Sequence, residues 1–98
     1  MSYVDTVAVS VTTNATALCT AKETRSSILI SNADATAVLY VGTASTVTTA
    51  SGTPVPAGQS FSASGDNTYK GIWYGISTTT ISVRVADEYL AKQGGSPL

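Results

Sequence analysis

Strict two-residue alternation is the feature that most limits what this chain can become. Val7, Val9 and Val11 interleave with Thr6, Ala8, Ser10 and Thr12; Ile81, Val83 and Val85 interleave with Thr80, Ser82 and Arg84. That period puts one set of side chains on one face of a strand, and no segment carries the 3.6-residue stripe of an amphipathic helix. Shorter runs repeat it. Residues 15–20 form a weaker strand with Leu18, or Ala17 and Cys19, facing in, and residues 26–31 form another, closed by the turn formers Asn32, Ala33 and Asp34. Residues 38–42 are apolar on both faces, and residues 59–63 place Phe61 inward. In residues 69–76 the aliphatic Ile72 and Ile76, with Tyr74, mark the core side. Trp73 is therefore expected to project the other way, over Gly71 and Gly75.

Between these strands, residues 43–59 form the longest irregular stretch. Pro54 and Pro56 exclude a central strand there, Gly52 and Gly58 suit positive φ, and Val47 and Val55 should pin the loop to the body. Gly65, Asp66, Asn67 and Thr68 read as a turn, and from Asp87 the alternation fades. Seven or eight short strands parted by Gly, Pro, Asn and Ser turns predict an all-β fold, a small antiparallel β-sandwich or barrel of jelly-roll-like kind. Its 98 residues suffice for one core, with a single β-domain over residues 1–90 and a flexible tail over 91–98.

Composition narrows the chemistry. There is no histidine, which removes imidazole acid–base catalysis and histidine-oriented triads. Cys19 is the only cysteine and sits in a strand pattern, so it reads as a small buried residue rather than a nucleophile or a metal ligand. Six carboxylates fall mostly in turns or at strand ends, where Asp satisfies backbone N–H groups; Asp66 is read that way rather than as a calcium ligand. We expect no enzyme, no cofactor and no metal. Charged residues are 11% of the chain, against about 25% in ordinary domains. The net charge is −1, with the basic residues scattered, so nucleic acid is not an expected partner. Ser and Thr supply roughly 30% of the chain instead, a surface poorly protected against association. No secretory signal or membrane-spanning run is read, so synthesis and residence in a cytosol are expected.

Several short motifs carry a family resemblance: Ile28-Leu29-Ile30-Ser31-Asn32, Leu39-Tyr40-Val41-Gly42, Val47-Thr48-Thr49-Ala50-Ser51-Gly52, Val55-Pro56-Ala57-Gly58-Gln59-Ser60, Trp73-Tyr74-Gly75-Ile76 and Ser82-Val83-Arg84-Val85. In this order, over about residues 15–86, they resemble small virion structural proteins of tailed bacteriophages, of the head decoration, cement or head-fibre type. The resemblance implies self-association, commonly as a homotrimer, and attachment to the major capsid protein or other virion proteins, after synthesis in a bacterial cytoplasm. It carries no catalytic residues. The expected role is a capsid decoration protein. The alternatives are a tail-fibre, spike or head-fibre module that binds host glycan, or a small tail or neck connector. Candidate contact residues are Trp73, Tyr74, Tyr69, Leu29, Leu39, Val47, Pro54 and Val55. The first three are the aromatic groups that would stack on a sugar under the glycan reading, and the last three lie on the 43–59 loop.

Overall fold

The computed structural model describes residues 2–65 and 68–90, and the predicted tail over 91–98 lies outside them, as do Asp66 and Asn67 of the predicted turn. Among the described residues eight strands form: β1 (Ser2–Val11), β2 (Thr16–Ala17), β3 (Arg25–Asn32), β4 (Leu39–Gly42), β5 (Thr53–Val55), β6 (Ser60–Ser64), β7 (Tyr74–Ile76) and β8 (Ile81–Leu90). They make two four-stranded sheets, β1-β8-β3-β6 and β2-β7-β4-β5, antiparallel throughout. The first strand pairs with the eighth, the second with the seventh, the third with the sixth and the fourth with the fifth. This is one long antiparallel hairpin rolled into two layers, the jelly-roll arrangement.

Alternation decides what lies between the layers. Val11, Ile28, Ile30, Ile81, Val83 and Val85 of the first sheet meet Leu18 and Leu39, Val41, Val55 and Trp73 of the second sheet and its flanks in one core. Both ends of that core are closed by buried polar groups. At one end Asn32 donates to the carbonyls of Ala37 and Val55, each at 2.9 Å, and Ser77 donates to Val38 O at 2.8 Å. These bonds satisfy backbone acceptors where strands change sheets, which an apolar side chain could not do.

The second sheet overturns one expectation. Trp73 is 7% exposed and belongs to the core, while Ile72, Tyr74 and Ile76 are half-buried. Its ring packs between Phe61 (centroids 5.5 Å) and Tyr69 (5.7 Å, edge-on), and its carbonyl accepts from the Leu18 N–H at 2.7 Å. Burying one large aromatic outweighs burying either isoleucine completely. Gly75 lies on the same face because a Cβ there would stand 3.0 Å from Leu39 Cδ1 and 3.2 Å from Leu18 Cδ2. Leu39 and Val41 both point into the core, and Tyr40 between them is half-buried. In the long loop, Val47 and Val55 are buried as expected, and Pro54 sits in β5, at the edge of its sheet. Gly58 has φ 75°, but Gly52 is not in that region. It is needed for space, since a Cβ would lie 2.8 Å from Tyr40 Cβ.

The first sheet also runs further than alternation implied. Asp87 is an inward, buried member of β8, which continues to Leu90. In β1 burial falls away along the strand: Val11 is fully buried, Val9 half-buried and Val7 47% exposed. The cause is length, because β1 has ten residues whereas β2 beside it in the other layer has two.

Candidate functional site

A β-bulge builds the most elaborate polar cluster. The register of β3 against β8 shifts between Arg25 and Ser27, which turns Arg25 to the inner face although Ser27 and Leu29 face outward. Its guanidinium meets Asp87 through Nε–Oδ1 at 2.7 Å and Nη2–Oδ2 at 2.9 Å, a bidentate pair sealed from solvent. Nη1 donates to the carbonyls of Tyr69 (2.9 Å) and Gly71 (2.8 Å), while Nη2 also donates to Thr20 O (2.8 Å) and approaches Cys19 Sγ (3.3 Å). Burial works against the arginine charge, but the hydrogen bonds and fields of Asp87 and Cys19 outweigh it and raise the guanidinium pKa further. The cluster ties the approach to β7 and the β2–β3 connection onto the first sheet, closing the second end of the core. It is structural chemistry, since every arginine N–H is spent on the protein's own acceptors.

Beside it the short β2 leaves an open edge. A groove of about 620 Å³ runs along β1, floored by Val7, Val9, Val85 and Leu18 and rimmed by Cys19 and Lys22. Lys22 pairs with Asp5 at 3.3 Å across its mouth. Among the described residues, no three His, Cys, Asp or Glu side chains gather into a metal-binding group.

The outer face of the first sheet is the third surface, and register defines it as a grid. Its central row is Thr6, Ala86, Leu29 and Ser62. On one side stands the row Val4, Glu88, Ser27 and Ser64, and on the other Ala8, Arg84, Ser31 and Ser60. Hydroxyls on it satisfy one another or the charges: Ser31 and Ser60 lie 2.9 Å apart, and Ser27 Oγ donates to Glu88 Oε1 at 3.1 Å. Val4 and Leu29 stand on it 58% and 42% exposed.

The eight candidate contact residues divide sharply. Trp73, Leu39, Val47 and Val55 are interior, and Tyr74 is half-buried. Leu29, Tyr69 and Pro54 are exposed, and they stand on different elements: β3, the β6–β7 connection and β5. The aromatic trio does not form one stacking platform, because Tyr69 packs edge-on to a buried Trp73 and donates to Thr43 O. Sequence reasoning missed the exposure of Tyr3 and Val4 on β1, and it read the alternation of Val7 but not its lack of cover. No family model matches the chain, and neither a curated protein nor a solved structure matches it.

Proposed function

We propose that this protein is a non-enzymatic structural component of a tailed-phage virion, a decoration or cement protein that associates with its own copies and with the major capsid protein. One observation carries the reading. Of the six large apolar side chains that stand exposed among the described residues, Tyr3, Val4, Val7, Leu29 and Leu90 all belong to the first sheet, and Tyr69 alone lies elsewhere. Val4, Leu29 and Leu90 stand on that sheet's outer face and Val7 lines the β1 groove on its inner side, and apolar exposure gathered on one layer of a charge-poor protein marks surfaces that are covered in use. The order of motifs from Ile28-Leu29-Ile30 to Val83-Arg84-Val85 supplies the virion context by resemblance. The jelly roll hosts capsid and lectin domains alike, so the fold alone decides neither.

The mechanism is mechanical. A protein that binds the assembled shell and not its separated subunits stabilises the shell by mass action, and symmetric repetition multiplies a weak contact. The outer face and the β1 groove are the surfaces available for such contacts, and neither calls on nucleic acid or a membrane. The resemblance implies a trimer; the outer face has a symmetry of its own, taken up below. The glycan-binding alternative loses its main support with Trp73 in the core. The test is a stained gel of purified particles, with this band compared with the major capsid band. Hundreds of copies per particle support decoration, and absence from the particle overturns the reading.

A further inference from the structure

We infer that the outer face of the first sheet is a two-fold interface, on which a second copy of this chain stacks face to face. The inference rests on the self-associating part of the proposed function and not on the particle.

The argument starts from the three rows. A two-fold axis lying between two such faces, along the row from Thr6 through Ala86 and Leu29 to Ser62, reverses strand direction and lays each member of that row over its own copy. The same operation sets the Arg84 row of one copy over the Glu88 row of the other. Arg84 then faces the partner's Glu88, and Glu88 faces the partner's Arg84, so one rotation makes two opposite-charge pairs. These are the only charged residues in the three rows, and the grid spaces them symmetrically about Ala86. Within one chain neither forms a salt bridge among the described residues, because they lie four residues apart along an extended strand. Arg84 instead lies along its strand on Ser82 Oγ at 2.6 Å.

Packing agrees with charge. Apart from the Arg84–Glu88 pairs, the rows meet as Leu29 on Leu29, Ala8 on Val4 and serine on serine. Small side chains let two sheets approach to about 10 Å, a gap that an arginine and a glutamate reaching from opposite sides can close. Three rows of four strands, with the flanking Ser10, Ser82 and Leu90 positions, give on the order of 1,000 Å² over two copies, at the lower bound of specific interfaces. Covering Leu29 and Val4 removes two of the exposed apolar side chains from water.

The test is charge reversal on the full chain, read by sedimentation equilibrium up to hundreds of micromolar. The parent protein should be a dimer. Arg84→Glu and Glu88→Arg should each raise its dissociation constant at least about tenfold, since each faces like charges twice. The double variant R84E/E88R should return to within about threefold of the parent, because the two-fold again pairs opposite charges. Leu29→Ser, which repeats a residue already native to this face, should weaken the dimer while circular dichroism, and the melting temperature read at a concentration where both proteins are monomeric, stay unchanged. A parent that is monomeric or trimeric, or a double variant no better than the singles, overturns the interface. Incorporation into particles is scored separately: a monomer found in virions refutes the two-fold and leaves the virion reading standing, and a dimer absent from virions does the reverse.

Discussion

Replacing Asp87 by alanine is the sharpest test of what holds the two layers together. The substitution removes both acceptors of Arg25 Nε and Nη2, in a site where the two side chains are 0% and 4% exposed. Breaking a buried pair by deleting one partner costs about 3–5 kcal/mol, because the remaining charge is left desolvated and unpaired. In a domain of this size each kcal/mol moves the melting temperature by roughly 4–8 °C, so a fall of at least about 12 °C is expected. The second half of the experiment separates this cluster from an ordinary ion pair. Replacing both members with apolar residues is often neutral or stabilising. Here Arg25→Met with Asp87→Leu also strands the carbonyls of Thr20, Tyr69 and Gly71, each at about 1–3 kcal/mol if no other donor reaches it. The double variant should therefore stay well below the parent in urea and thermal unfolding. A loss under about 1 kcal/mol for D87A, or a double variant as stable as the parent, would refute the account.

Three other outcomes are expected. Trp73→Ala should cost about 3–5 kcal/mol in urea unfolding as a core truncation, and the native fluorescence of this single tryptophan should be blue-shifted and become red-shifted on unfolding. Gly75→Ala should cost about 1–3 kcal/mol by crowding Leu39 and Leu18, and Gly58→Ala about 1–2 kcal/mol for its left-handed backbone although its Cβ meets nothing. The Asp34 carboxylate accepts from the N–H groups of Ala37 at 2.7 Å and Thr36 at 3.0 Å, which holds its pKa below the usual carboxylate value. Its contribution should be complete above about pH 4 and lost as pH falls through the lower folded value, so Asp34→Ala should flatten that part of the stability–pH curve.

Alternation made most of the fold legible. The inward faces of β8 and β3 could be read from Ile81, Val83 and Val85 and from Ile28 and Ile30, and Pro54 rightly excluded a central strand, although the short edge strand β5 that holds it reads as loop. What escaped reading depends on contacts between distant parts of the chain. Asp87 looked like the end of a pattern because a carboxylate at an inward position makes sense only with its partner, which lies 62 residues away and is turned inward by a bulge that leaves no signature in the letters. Counting aliphatic neighbours points Trp73 outward, whereas volume decides, and Gly75 beside it makes room for Leu18 and Leu39 while Gly71 makes room for the Tyr69 ring. The outer grid was invisible for a related reason: Leu29, Arg84 and Glu88 form rows only once three strand registers are fixed.

The rolled-hairpin order has a consequence for biosynthesis. β8 is the strand that joins β1 to β3, so as the nascent chain leaves the ribosome the first sheet lacks its central member until residues 81–90 are out. Until then β1, with its alternating valines, has no neighbour to pair with, and pairings this distant along the chain are slow to close. Premature release should leave a sticky fragment rather than a smaller folded domain, and rapid completion of the chain or a chaperone that shields that first strand would guard against it.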